Sequence, residues 1–130
     1  MCVWAFIIVI AIDIDPVKIA FAKHNAEMYG VAHKIEFIVG DFFRLAPTLK
    51  ADVLFMSPPW GGPGYSAHSF TLESMCSDHF GGGFTIFDLV KNIAPNIAFH
   101  MPKTTIVKEV KIKIYLIFSP SFSCLVISIL

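Results

Sequence analysis

The chain has 130 residues, of which 55% are hydrophobic, and ten basic residues balance ten acidic ones, so that the formal net charge is zero. This length accommodates one domain, and the balanced charge excludes a broad electrostatic field for RNA phosphates. Any recognition of nucleic acid therefore has to be local. Three widely spaced cysteines and five scattered histidines predict neither a metal site nor a disulfide framework, and they fit a reduced intracellular compartment.

The first part of the chain predicts a strand followed by a helix. Met1 to Ile14 is almost wholly apolar and rich in Ile and Val, as in buried strands of parallel sheets. Asp15 and Pro16 then match a helix N-cap with proline at the first helical position. Gly30 ends the helix. Its apolar face is predicted from residues at helical spacing, namely Val17, Ala20, Phe21, His24 and Met28.

The remaining elements alternate in the same way. Strands are predicted at Lys34 to Val39, Asp52 to Met56 and Asn96 to His100, with a short helix after the first of them and a longer one at Thr85 to Asn92. This order is typical of an α/β domain. The run Gly81-Gly82-Gly83 is interpreted as a flexible insertion, because no Lys-Ser/Thr pair follows it as in a phosphate-binding loop.

The stretch Ser57-Pro58-Pro59-Trp60 ends the third strand and opens a glycine-rich loop. Proline has no N–H and a fixed φ, so a rigid corner would present the Ser57 hydroxyl and the Pro58 carbonyl as acceptors for the hydrogens of an exocyclic purine amine. Trp60 follows at once and is placed to stack on the base, a contact worth ~1–3 kcal/mol. The motif predicts amino-methyl transfer, although in isolation it is equally typical of a proline-rich turn with a half-buried Trp.

Four further motifs decide between these interpretations. They are Val9 to Ala20 with Ile12-Asp13-Ile14-Asp15-Pro16, His24-Asn25-Ala26-Glu27, Lys34 to Ile38 followed by Gly40-Asp41-Phe42, and the corner itself continued by Gly61-Gly62-Pro63 and Tyr65. On these residues the chain, from about Val9 to Lys103, resembles the trimethylguanosine synthases, which hypermethylate the 7-methylguanosine cap of small nuclear and nucleolar RNAs. The resemblance implies an α/β fold of the class I, Rossmann-like type used by S-adenosylmethionine (SAM)-dependent methyltransferases.

The resemblance implies a SAM site on two strands. Asp13, with Ile14 beside it, lies at a strand end, where an acidic side chain can bond both ribose hydroxyls. Asp41 and Phe42 match positions that contact the adenine amino group and ring. No metal is expected.

The resemblance also implies a cap site. Ser57 and Pro58 would orient the guanine amine, and Trp60 would stack on the cationic 7-methylguanine ring, adding cation–π attraction. Asn25 and Tyr65 match residues that contact the cap. Lys103 matches an arginine that grips the cap phosphates, and lysine keeps the charge but loses the bidentate fork.

Two departures limit this prediction. Class I enzymes carry a glycine-rich turn about twenty residues before the acidic residue, but this chain has no glycine before Gly30. The strand that this turn follows normally lies between those of Asp13 and Ser57, so we expect an incomplete fold that lacks the first central strand. Residues 1–103 are therefore predicted to be a partial methyltransferase domain, and residues 104–130 a divergent apolar tail.

The predicted function is SAM-dependent methylation of the guanine N2 of an RNA cap, from 7-methylguanosine to 2,2,7-trimethylguanosine, by a fragment with impaired activity. The expected partner is capped small nuclear or nucleolar RNA rather than DNA, and the expected location is the nucleus, with its nucleolus or Cajal body, and the cytoplasm. One alternative is a non-catalytic remnant that binds the cap or a partner. Another is a membrane-tethered fragment, because Ile114 to Leu130 is an uncharged run near the lower length limit for a span.

Overall fold

The computed structural model describes residues 8–58, 70–74, 82–100 and 124–129. In these ranges five strands form one sheet: β1 Ile8–Asp13, β2 Ile35–Val39, β3 Val53–Ser57, β4 Asn96–Phe99 and β5 Cys124–Ile129. The α-helices of the same ranges are α1 Pro16–Met28, α2 Phe42–Leu45 and α3 Gly83–Val90. Short 3₁₀ helices cover Ala32–Lys34, Ala46–Thr48 and Leu72–Ser74.

Helix α1 begins and ends at the residues that its sequence indicates. Asp15 is the N-cap, and its carboxylate accepts a hydrogen bond from Val17 N–H at 2.8 Å, with Pro16 in the first turn. Gly30 follows the C-cap with φ +69°, a left-handed conformation that glycine adopts without steric cost. The predicted boundaries of this helix are therefore confirmed.

The strand order is β2-β1-β5-β3-β4, and every neighbouring pair is parallel. Strand β5 lies in the middle, where Val126 is opposite Ile10 of β1 on one side and Leu54 of β3 on the other. Residues 124–129 belong to the segment that the sequence analysis assigned to a divergent tail. They supply the strand between those of Asp13 and Ser57, the position in which the resemblance led us to expect a gap.

The main hydrophobic core lies between the sheet and helices α2 and α3. Alternate residues of the strands point into it, and Ile12, Leu54 and Met56 are almost completely buried. They pack with residues of the two helices and of the segments beside them, including Phe42, Ala46, Leu72, Ile86 and Val90. This layer holds the carboxyl ends of β1 and β3 at one level of the sheet.

Helix α1 packs on β1 and β2 through a face different from the predicted one. Its buried residues are Ile19 and Ala26, neither of which belongs to the main core. Val17, Phe21 and Met28 are 57%, 65% and 75% exposed, so the prediction that their face is buried is wrong. The helix contacts the strands through a narrower face with small side chains, which permits a close approach, and its bulkier apolar residues lie in solvent.

Two glycines allow α3 to begin against a backbone. Gly82 has φ +84°, and a Cβ there would lie 2.8 Å from the Glu73 carbonyl oxygen. A Cβ on Gly83 would lie 2.6 Å from the Leu72 carbonyl oxygen. The interpretation of this run as a flexible insertion is wrong for both residues, because each is required for close packing on the Leu72–Ser74 turn.

Candidate functional site

The carboxyl ends of the parallel strands meet at one edge of the sheet and bring four polar residues to it. Asp13 ends β1, Asp41 follows β2 after one glycine, Ser57 ends β3, and His100 follows β4. Open α/β sheets bind their ligands at this edge. The candidate site therefore has one half on β1 and β2 and another on β3 and β4, with β5 between them.

Asp13 is the buried member of the set, with 2% of its surface exposed. Its Oδ1 accepts a hydrogen bond from Asp15 N–H at 2.8 Å, whereas its buried Oδ2 has no hydrogen-bond partner among the described residues. The Lys18 ammonium lies 3.8 Å from Oδ2, an ion-pair distance, on a side chain that is 56% exposed. A buried carboxylate oxygen without a donor is costly for the folded chain, and a ligand hydroxyl would satisfy it.

Asp41 lies beside Asp13 on the neighbouring strand. Gly40 N–H donates to the Asp13 carbonyl at 3.0 Å, which joins the ends of β1 and β2. The Asp41 carboxylate caps α2 through Phe43 N–H at 2.9 Å. An Asp after a strand thus performs a local structural task, and this task leaves the predicted adenine contact a prediction.

The two apolar residues predicted to bind SAM differ in their surroundings. Phe42 has no exposed surface, because its ring packs in the main core with its edge against Phe43, at a centroid distance of 5.8 Å. Ile14 is 62% exposed and lies next to Asp13 in the chain. The structure therefore places Ile14 at the open side of the edge and Phe42 beneath it.

Ser57 and His100 form the other half of the site. The Ser57 Oγ lies 3.3 Å from His100 Nδ1, and His100 N–H donates to the Met56 carbonyl at 2.8 Å. Pro58, directly after Ser57, is buried. Sequence analysis interpreted every histidine as an ordinary surface or core residue and so missed His100. The signal that could have identified it is its position at the end of a predicted strand.

Strand β5 sets the distance between the two halves. Ile12 and Met56 are both opposite Ser128, so that Asp13 and Ser57 stand at the same level on either side of β5. Two strand spacings place their backbones roughly 10 Å apart. This is a span over which a nucleoside ligand held at Asp13 can extend toward Ser57.

The structure does not bring every predicted site residue to this edge. Asn25 is exposed on α1, about 14 Å along the helix axis from Pro16, since α-helices rise ~1.5 Å per residue. Trp60, Tyr65 and Lys103 lie outside the described residues. Their predicted contacts with the cap remain predictions.

Two searches of the described residues gave negative results. No group of three or more His, Cys, Asp or Glu side chains in those ranges is arranged to hold a metal ion. In the same part of the chain, no helix has the length and apolar character needed to cross a membrane.

A parallel α/β sheet with a buried acidic residue at one strand end and a Ser-Pro-Pro corner at another defines a partial class I methyltransferase fold. A model of the RNA cap guanine-N2 methyltransferase family matches residues 3–130, beyond Lys103, where the motif resemblance stops. The chain belongs to this family. It therefore comes from a family of methyltransferase enzymes that act on RNA caps.

Individual relatives agree with this assignment. The chain is 40% identical to a trimethylguanosine synthase of Schizosaccharomyces pombe over 108 residues, which cover 78% of this chain and 44% of that protein. It is also 45% identical over 49 residues to ribosomal RNA large subunit methyltransferase K/L of Shewanella frigidimarina, covering 38% of this chain and 7% of that protein. The chain thus spans less than half the length of the curated relatives that it matches.

Proposed function

We propose that this chain binds SAM at the carboxyl edge of its sheet and transfers a methyl group to the guanine N2 of a 7-methylguanosine RNA cap. The observation that carries the proposal is Asp13: a buried carboxylate whose Oδ2 has no hydrogen-bond donor in the described chain, level with Ser57 across β5. Family membership supports the reaction type. SAM, when bound, supplies the methyl group as an electrophile on a sulfonium.

Asp13 is suited to the ribose of the donor. Hydrogen bonds from hydroxyl groups to a carboxylate are charge-assisted and strong, and the unpartnered Oδ2 is available for one of them. In the proposed complex Ile14 and Asp41 flank the ribose on the adenine side. Because the carboxylate is already buried and held by Asp15 N–H at 2.8 Å, little reorganisation precedes binding.

Ser57 and Pro58 are suited to the acceptor. The lone pair of an exocyclic guanine amine is delocalised into the ring, so the nitrogen reacts only when its hydrogens are held and its lone pair is aimed at the methyl group. We assign this task to the Ser57 hydroxyl and the Pro58 carbonyl, with Trp60 stacking on the base. No strong base is needed, since the amine can lose its proton after the attack. Positioning and electrostatics then account for most of the acceleration.

The cap itself defines the expected partners. We assign Tyr65 and Asn25 to the guanine and Lys103 to the cap phosphates, with capped small nuclear and nucleolar RNAs as substrates in the nucleus and cytoplasm. The net charge of zero argues that these local contacts, and not a general attraction to RNA, provide the affinity.

Labelled SAM and a 7-methylguanosine-capped RNA test the proposal. We expect label in the cap with the native chain and a loss of about tenfold or more with Trp60→Ala, since base stacking contributes ~1–3 kcal/mol. The matched control is Phe21→Ala on the exposed face of α1, which should transfer like the native chain. Equal incorporation by the native chain and Trp60→Ala would refute the assigned cap site.

A second candidate function is binding of the cap or of a partner without catalysis. The observation that favours it is that no glycine precedes Gly30, so the turn that cradles the methionine end of SAM is not formed ahead of β1. Calorimetric titration with S-adenosylhomocysteine separates the two candidates. Micromolar affinity supports the methyltransferase, whereas cap-analogue binding with no affinity for S-adenosylhomocysteine supports the remnant.

A further inference from the structure

His100 stands beside the proposed acceptor for the guanine amine. Its Nδ1 lies 3.3 Å from Ser57 Oγ, and its backbone N–H donates to the Met56 carbonyl at 2.8 Å. The backbone bond ties the end of β4 to the residue before Ser57. Two neighbouring strands therefore hold the imidazole at the hydroxyl group, and the side-chain contact does not depend on a loop.

The chemistry of the two groups gives this contact a direction. A serine hydroxyl has one hydrogen to donate and two lone pairs that accept. Neutral imidazole with its hydrogen on Nε2 is an acceptor at Nδ1, so it takes the Ser57 hydrogen and leaves the Ser57 oxygen as an acceptor. The tautomer is assigned from this role of Ser57, since the distance alone fits either direction.

A free hydroxyl would be less suitable for the reaction. Rotation about the Cβ–Oγ bond of Ser57 would direct its hydrogen toward the guanine amine in part of the population, so that two donors would face each other. Fixing the hydrogen on His100 removes those orientations before the substrate binds. Preorganised acceptors cost no reorganisation during the reaction.

We propose that His100 is a positioning residue for methyl transfer, which holds the Ser57 hydroxyl hydrogen on Nδ1 so that the Ser57 oxygen accepts from the guanine amine. This inference rests on the proposed function and deepens it. It also makes a claim about the unliganded chain, namely that the Ser57 to His100 hydrogen bond is present before any ligand binds.

Nuclear magnetic resonance of the imidazole nitrogens tests the contact without any turnover. In long-range ¹H–¹⁵N spectra, His100 is assigned as the signal that His100→Asn removes. We expect Ser57→Ala to shift the His100 Nδ1 resonance, and Thr48→Val, which removes a hydroxyl bonded to the Leu45 carbonyl elsewhere, to leave it unchanged. An Nδ1 resonance that is the same in the native chain and in Ser57→Ala would overturn the proposal.

A double-mutant cycle on methyl transfer tests the role. His100→Phe keeps a planar ring but no nitrogen, and we expect a fall in kcat of about fivefold with little change in KM for capped RNA. In a Ser57→Ala background the same change should have no further effect, because His100 acts through Ser57. Equal losses in both backgrounds would contradict the assignment.

Conservative replacements separate positioning from packing. Asparagine places an amide near the position of Nδ1, whereas glutamine places it near Nε2, so His100→Asn should retain activity within about twofold and His100→Gln should behave like His100→Phe. The reverse order would count against the contact at Nδ1. Failure of the proposed function is recognised separately, because the native chain then transfers no label, while the imidazole spectra still report on Ser57 and His100.

Discussion

The two halves of the candidate site are built in opposite ways. On β1 the functional carboxylate of Asp13 is 2% exposed, and a backbone N–H holds one of its oxygens. On β3 and β4, Ser57 and His100 lie at the surface and contact each other through side chains. The buried half is suited to recognising a constant ligand, and the open half to admitting a large one such as the end of an RNA.

This difference separates binding from chemistry. A donor that is the same in every turnover can be recognised by a preformed, desolvated acceptor. An RNA cap has to enter and leave with a chain attached, which requires an open edge. Strand β5 is the only described element that pairs with strands of both halves, because it contacts β1 and β3 along its whole length.

Proline in β5 should have the largest effect, because it breaks both halves together. Ile127 is opposite Ala11 on one side and Phe55 on the other. Ile127→Pro removes a ladder hydrogen bond from a central strand, and we expect a loss of ~3 kcal/mol or more in the free energy of unfolding. Urea unfolding followed by circular dichroism measures it.

Ile127→Val is the control, because it keeps the backbone N–H and shortens the side chain by one carbon. It should cost less than ~1.5 kcal/mol. If the proline and valine variants unfold at the same urea concentration, β5 does not occupy the centre of the sheet in solution, and the two halves are not held at a common level by it.

The central place of β5 shows what the sequence could and could not predict. Local chemistry sufficed for the Asp15-Pro16 helix start and the approximate bounds of β1 to β4, because capping and periodicity depend on nearby residues. The pairing of β5 with β1 joins residues more than a hundred positions apart. Nothing in the periodicity of an apolar segment specifies its neighbours.

The same limit applies to faces and contacts. The apolar residues of α1 were correctly placed on a helix, but which face of that helix contacts β1 and β2 depends on shape, and Phe21 remains 65% exposed. Asp13 could be predicted from its place at a strand end. The partnerless state of its Oδ2 and the approach of His100 to Ser57 depend on neighbouring strands, which no local motif records.

Asp13→Asn tests the buried half alone. The replacement keeps the shape and an acceptor for Asp15 N–H, but it removes the charge and exchanges one acceptor oxygen for a donor. We expect S-adenosylhomocysteine to bind about 10- to 100-fold more weakly, the range for hydrogen bonds to a charged group. Isothermal titration calorimetry measures the affinity.

Asp15→Asn is the matched control for that experiment. It removes a carboxylate two residues away, and asparagine serves as an N-cap about as well as aspartate. S-adenosylhomocysteine should therefore bind this variant as it binds the native chain. A loss of affinity in Asp15→Asn equal to that in Asp13→Asn would point to general electrostatics and not to the unpartnered oxygen.

Lys18→Met should have the smallest effect, and its sign distinguishes a partner of Asp13 from a competitor for the ligand. The Lys18 ammonium is 3.8 Å from Oδ2, and more than half of the side chain is exposed. Exposed ion pairs contribute ~0–1 kcal/mol, so the free energy of unfolding should fall by no more than that. In the unliganded protein Asp13 then loses its only nearby cation in the described chain, and a ribose hydroxyl gains more by binding. S-adenosylhomocysteine affinity should consequently rise, by at most about fivefold, whereas a fall of tenfold or more would make Lys18 a ligand-binding residue in its own right.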